Sequence, residues 1–359
     1  MKIEMRAIVT AEMPDTAIGR LEELGFETRQ CGWGVTRRAL EGDELVSAIS
    51  TADVLICELE RIDAAILERC PSLKIVAACR GNATNIDLEA ARNRGLWILN
   101  TPGRNAESVA DFTIGLILAL QRQIVAGHEH LRTSGWNVGE DLPYFHFRGH
   151  ELAYTTVGIL GYGAVGSSVA RRLTEGFGAT VLVHDPYVTR FSETVRSVGH
   201  DELFDLASIV SLHAAVDPGD SPAVGERELS LLGRQGLVVN TARAALVDEV
   251  ALITALTNGK LGGAALDVFW TEPIPRDHPL LRLSNVITTP HIAGAADDVR
   301  EHHSDIVIRD IEALLRNETP RYAIVRGSLP IVGSSNSRAA AAHSASSASG
   351  DKTDGGLAH

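Results

Sequence analysis

The 359-residue chain is poor in cysteine, short of positive charge and free of long apolar runs. Its four cysteines are Cys31, Cys57, Cys70 and Cys79. None forms a CxxC pair and no Cys/His group has zinc-finger spacing, which excludes a disulfide framework and a structural zinc site. Buried free thiols in a reducing compartment are expected, and no metal. Lysine and arginine number 33 against 46 aspartates and glutamates, a formal net charge of −13. A nucleic-acid partner needs a basic surface and is excluded on that ground. The N-terminal MKIEMRAIVTAEMP has no signal-peptide apolar core. The longest helical apolar stretch, 108–120, carries Asp111 and is too short to span a bilayer. A cytoplasmic protein with no membrane partner is expected.

Apolar residues make up 45% of the chain and charged residues 22%, a globular composition, and the length suits about two domains. Short apolar runs read as strands at 6–10, 54–57, 74–77 and 96–99. Helical patterns lie between them at 15–24, 41–49, 63–69 and 87–94. A break at Asn100-Thr-Pro-Gly103 precedes a long helical stretch, 106–126, and then 128–150, which lacks a clear period and reads as an extended arm. A second series places strands at 157–160, 180–183, 209–212, 237–240, 263–266 and 286–288, and a final helix covers 297–316. Strands alternating with helices predict parallel sheets covered on both faces. Beyond Pro330 the Ser/Ala/Gly composition is too poor in large apolar residues to offset the entropy of ordering it.

The segment 156–166, TVGILGYGAVG, holds GxGxxG at Gly161, Gly163 and Gly166 between an apolar strand and a helical pattern. In that setting the first glycine allows a tight turn, the second admits a pyrophosphate and the third lets helix and strand pack closely. The helix start offers free N–H groups and a positive dipole end to phosphates. The next strand ends at Asp185. A carboxylate there accepts from ribose hydroxyls and repels a 2′-phosphate, which favours NAD over NADP.

Three later segments fall at the C-terminal ends of predicted strands, where ligands sit in open α/β sheets. They carry Arg243, Glu272 and His291. Reduction of a 2-oxo acid needs a planar cation for the carboxylate, a proton donor for the carbonyl oxygen, and a carboxylate to hold that donor. The three residues match those needs.

With these motifs in this order, the chain closely resembles the D-isomer-specific 2-hydroxyacid dehydrogenases over about residues 50–325. The likeness is carried by RGNATNIDLEAARNRG, NTPGRNAESVADFTIGLILAL, GILGYGAVG, NTARAALVDEVAL, GAALDVFWTEP and TTPHIAG. It implies an α/β fold of two Rossmann-like doubly wound parallel-sheet domains with a cleft between them. A flavodoxin-like substrate domain would comprise 1–102 and 296–330, an NAD-binding domain 103–295, and a disordered tail 331–359. It implies catalytic Arg243, Glu272 and His291, and substrate contacts from Arg80, Gly81 and Asn82. Ala164 and Val165 would touch the pyrophosphate, Thr241 and Ala242 would line the nicotinamide, and Asp267 would contact its carboxamide. The implied partners are a small 2-hydroxy or 2-oxo acid and a second copy of the chain, joined through the cofactor domain and its arm, 104–150. Ala244-Ala245 and the Arg80-Gly-Asn82 loop depart from the family's usual glycine-rich forms. An NAD(H)-sensing scaffold or corepressor on the same fold is the alternative function.

Overall fold

The computed structural model describes residues 5–216 and 219–328. The expected tail, 331–359, lies outside them. The chain gathers into two compact units, one running to Arg104 and resuming at Arg300, the other formed by Asn105–Val299. The sequence reading put these divisions at 102/103 and 295/296.

In chain order the strands are β1 (Met5–Val9), β2 (Phe26–Gln30), β3 (Val54–Cys57), β4 (Ile75–Ala78), β5 (Trp97–Leu99), β6 (Thr156–Leu160), β7 (Thr180–His184), β8 (Arg196–Ser197), β9 (Ile209–Leu212), β10 (Leu237–Asn240), β11 (Gly263–Leu266), β12 (Val286–Thr288) and β13 (Ala323–Val325). The first unit's sheet has the order β13-β5-β4-β3-β1-β2, parallel except for β13. Its centre, VLIC and IVAA, is buried on both faces, as a doubly covered parallel sheet requires. Alternate residues divide between two cores. Ile8, Leu55, Val76 and Ile98 face the helices Gly42–Ile49, Ala64–Arg69 and Leu88–Asn93. Val9, Ile56, Ala77 and Leu99 face Asp15–Glu23 and Val299–Leu315.

The second unit's sheet runs β12-β11-β10-β9-β6-β7-β8, all parallel. Renumbered from β6, that is the dinucleotide-binding order 3-2-1-4-5-6 with one strand added, and its direction reverses between β6 and β9. Asp63, Asp87 and Asp248 each cap the helix that follows by accepting an N–H three residues on.

Several elements differ from expectation. β2, β8 and β13 do not stand out in the sequence because they are edges, and β2 buries only Phe26 of FETRQ. The long helix stops at Gln121, Gln123 turns left-handed at φ 52°, and a second helix, Ile124–Ser134, leaves at 57°. The arm is therefore partly helical, with a further short helix at Pro143–His146. Neither helix buries a residue, so no apolar stripe marks the period. Among the described residues no single helix is long and apolar enough to cross a membrane. All four cysteines are free, three of them buried, and burial pushes the Cys57 thiol up to about 12.

Candidate active site

Ligands of open α/β sheets bind beyond the strand ends at the point where strand order reverses, here beside β6 and β9. Gly161 follows β6 at φ 91°, and a Cβ there would lie 2.4 Å from the Ala214 nitrogen. A Cβ on Gly166 would lie 2.0 Å from the Gly161 carbonyl oxygen, so this glycine lets the helix Ala164–Arg171 close onto the strand. Gly163 is different: a Cβ would meet nothing within 4 Å. Nothing in the protein demands glycine at 163, and the open space lies at the helix start, where Ala164 and Val165 offer free N–H groups. This is the opening a pyrophosphate needs, and the residues fit a dinucleotide.

Asp185, just past β7, accepts at Oδ2 from Tyr162 N–H at 2.7 Å, and at Oδ1 from Tyr187 and Val188 N–H at 2.9 and 3.2 Å. It ties the glycine loop to the end of β7 as well as initiating the Pro186 turn. His213, beyond β9 and absent from the sequence expectations, lies beside Gly161. Its Nε2 meets Ser211 Oγ at 2.8 Å, while Nδ1 is buried with no partner. Burial pushes its pKa down to about 3, so the ring is neutral. An orphaned polar atom in this crevice also suits a polar ligand.

The same unit carries the three expected catalytic residues at the ends of β10, β11 and β12. Asn240, the last residue of β10, is 1% exposed and clamps the turn that follows. Its Oδ1 accepts from Ala242 N–H at 3.0 Å, and its Nδ2 donates to the Arg243 carbonyl at 2.9 Å. Sequence reasoning missed this residue, although an Asn at a strand end before a turn was a signal. Arg243 itself is exposed. Thr241 is held by Thr113, Oγ1 to Oγ1 at 2.8 Å. The Thr113 hydroxyl donates to the Val109 carbonyl, so Thr241 is the donor in the pair.

Glu272 and His291 meet at 2.8 Å, Oε2 to Nδ1, and Phe269 N–H donates to Oε1 at 3.1 Å. Burial raises the Glu272 pKa, but the His291 hydrogen bond, the Phe269 N–H and the charges of His291 and Arg243 outweigh it and hold the carboxyl below its usual range. The three side chains thus form one electrostatic group. With Nδ1 on the carboxylate, Nε2 is the ring nitrogen left to serve a substrate.

Asp267 is wholly buried. Its oxygens accept from Thr289 Oγ1 at 2.6 Å, Ile292 N–H at 2.9 Å and Ala293 N–H at 2.8 Å. The partners seen for it are the His291 loop, where the resemblance implied the cofactor carboxamide. In the other unit, Arg80, Gly81 and Asn82 follow β4. Thr101 N–H binds the Arg80 carbonyl at 2.9 Å and Asn100 Nδ2 the Gly81 carbonyl at 2.8 Å, which anchors this loop by its carbonyl side.

Residues 114–293 match the family model of the D-isomer specific 2-hydroxyacid dehydrogenase NAD binding domain. The chain is 36% identical over 324 residues to a glyoxylate reductase of Thermofilum pendens, covering 88% of this chain and 93% of that one. It belongs to the D-isomer-specific 2-hydroxyacid dehydrogenases. Members of this family are NAD-dependent oxidoreductases acting on the hydroxyl group of 2-hydroxy acids, and that activity and cofactor are this chain's. Among solved structures, a Thermus thermophilus protein superposes with a TM-score of 0.73 at 34% identity, over 89% of this chain and all of that one. An NADPH-dependent glyoxylate/hydroxypyruvate reductase of Sinorhizobium meliloti gives 0.70 at 28% identity, over 91% and 100%.

Proposed function

We propose that this 2-hydroxyacid dehydrogenase acts as a cytoplasmic, NADH-preferring reductase of small 2-oxo acids such as glyoxylate and hydroxypyruvate, working as a homodimer. The observation that carries the reading is the Glu272–His291 pair at 2.8 Å, with Arg243 near enough to lower the Glu272 pKa. Arg243 holds the substrate carboxylate through its planar fork. The backbone donors of Gly81 and Asn82 and the Arg80 side chain assist, a role that rests on the family resemblance. Nicotinamide, when bound, supplies or accepts the hydride at substrate C2. In reduction His291 gives its Nε2 proton to the carbonyl oxygen, and in oxidation it takes the proton back. Glu272 holds the ring at Nδ1 and so keeps Nε2 free for this transfer.

Gly161, Gly163, Ala164, Val165 and Gly166 would cradle the pyrophosphate, Thr241, Ala242 and Asp267 would flank the nicotinamide, and Asp185 would face the ribose. The preference for NADH rests on the Asp185 charge, which repels a 2′-phosphate. The dimer is supported by the arm, where Ile124, Leu131, Trp136, Leu142, Tyr144 and Phe145 are each more than half exposed. The cytoplasmic assignment is supported by the four unpaired cysteines. The scaffold alternative has no support among the relatives.

The test is NADH consumption with glyoxylate, hydroxypyruvate, pyruvate and 3-phosphohydroxypyruvate. Turnover fastest on the first two is expected. No consumption of NADH or NADPH with any of them would overturn the reading.

A further inference from the structure

Glu58 is the first residue beyond β3, beside the Arg80-Gly-Asn82 loop that follows β4. Sheet register makes them neighbours: Cys57 of β3 pairs with Ala78 of β4, and Cys79 N–H donates to the Cys57 carbonyl at 2.7 Å. Both segments leave the C-terminal edge of one parallel sheet side by side, the edge at which such sheets bind ligands. Adjacent strands lie about 4.8 Å apart, roughly the length of a three-carbon acid.

The backbone of Glu58 is held from both sides. Its N–H donates to Glu60 Oε2 at 3.5 Å, and its carbonyl accepts from Asn85 Nδ2 and Arg80 Nη1, each at 3.5 Å. Asn85 also donates to the Glu60 carbonyl at 2.9 Å, and the wholly buried Glu60 takes the Thr10 hydroxyl at 2.8 Å. The side chain is held as well. Oε1 takes Arg104 Nη1 at 3.0 Å, with the Glu58 side chain 13% and the Arg104 side chain 22% exposed. The same Nη1 lies 3.0 Å from His303 Nδ1, which fixes the guanidinium in turn. Glu58 Oε2 has no hydrogen-bond partner among the described residues. A mostly buried, fixed carboxylate with one oxygen unused is a preset acceptor for a hydroxyl. A methyl group in the same place would strip water from Oε2 and return no hydrogen bond.

We propose that Glu58 is a specificity-determining residue: its free Oε2 accepts the C3 hydroxyl of the substrate, so the enzyme selects 3-hydroxy-2-oxo acids over their 3-deoxy analogues. The inference deepens the reductase reading and rests on Gly81 and Asn82 holding the substrate carboxylate. Arg104 positions the Glu58 carboxylate and does not itself touch the substrate.

The test compares wild type, Glu58→Gln and Glu58→Leu in the full chain, with hydroxypyruvate and pyruvate as paired substrates. The readout is the ratio of their kcat/KM values with NADH, which a loss of folded enzyme or of cofactor affinity leaves in place. Expected is a wild-type preference for hydroxypyruvate of about 100-fold. Glutamine keeps the shape and loses the charge, and the preference falls to about tenfold. Leucine removes the acceptor and gives the methyl group an apolar neighbour, so the preference falls below about threefold while kcat/KM for pyruvate rises about tenfold. Glu58→Gln decides the matter if Glu58→Leu does not fold. The same ratio in Glu58→Gln as in wild type would overturn the proposal and leave Glu58 as the ion-pair partner of Arg104 alone. So would a wild-type preference for 3-phosphohydroxypyruvate over hydroxypyruvate, because the site would then read a distal anion. If no 2-oxo acid is turned over, the reductase reading fails by itself, and fluorescence titration of the NAD-loaded protein still decides the role of Glu58. Hydroxypyruvate bound at least about tenfold more tightly than pyruvate would support it, and equal binding would overturn it.

Discussion

Acid should loosen the first unit through one buried histidine, by an amount set by its surroundings. His303 is 2% exposed, on the helix Val299–Leu315. Arg104 Nη1 lies 3.0 Å from its Nδ1, and its Nε2 lies 2.7 Å from the Glu12 carbonyl. A guanidinium only donates, so Nδ1 must accept and Nε2–H must donate. The neutral ring therefore satisfies both partners, and a second proton at Nδ1 would face Arg104. Other charges lie close by: Glu12 is paired with Arg37 and Arg300, Glu58 with Arg104 at 3.0 Å, and His302 Nδ1 lies 3.1 Å from the Arg104 carbonyl. Burial above all, then the Arg104 charge, outweighs the Glu12 carbonyl and pushes the His303 pKa from 6.5 down to about 4.

A folded value below the unfolded one means stability that is complete above pH 6.5 and is lost as pH falls through about 4. Between about pH 7 and pH 5 the unfolded chain takes up most of a proton that the folded chain refuses, a loss of about 2 kcal/mol. Urea denaturation at both pH values, for wild type and His303→Gln, measures it. The variant should start less stable at the higher pH but lose about 2 kcal/mol less on acidification. His213 titrates in both proteins and cancels in the difference. Parallel losses in the two proteins would refute the burial argument. The stake is functional, because Arg104 and Arg300 flank the two points where the chain passes between its units.

The glycines of the fingerprint should separate by role. Gly161→Ala, with φ 91° and a Cβ 2.4 Å from backbone, should destabilise by about 2 kcal/mol or more. Gly163→Ala should melt within about 2 °C of wild type yet bind NADH about tenfold more weakly, as calorimetry and titration would show. Wild type should favour NADH over NADPH by about 100-fold in kcat/KM, and Asp185→Ala should narrow that ratio while losing stability, because three N–H groups lose their acceptor. Asn240→Ala should free the Arg243 turn and raise KM for the 2-oxo acid about tenfold, with a smaller effect on NADH affinity, read by steady-state kinetics.

What the sequence determined by itself was whatever a local signal carries. The central strands were legible because β3, β4 and β9 are short apolar runs buried on both faces, and the glycine spacing fell between a strand and a helix pattern. Arg243, Glu272 and His291 were legible because each follows a strand whose end position could be counted. Only the tertiary structure decided the rest. The edges β2, β8 and β13 exist through pairing with a neighbour: β2 and β8 are mostly polar and β13 is three residues long, so none carries a period. The arm helix Ile124–Ser134 buries nothing, so no stripe announces it. The hydrogen bonds of the His291 loop join Asp267 to residues 22 to 26 positions away, and a lone aspartate in the sequence shows none of its three donors. His303, likewise, takes its acid sensitivity from burial and then from Arg104, 199 residues away. Periodicity reports which face of an element is buried; which groups share a hydrogen bond is set by the register of the sheet and the packing of distant segments.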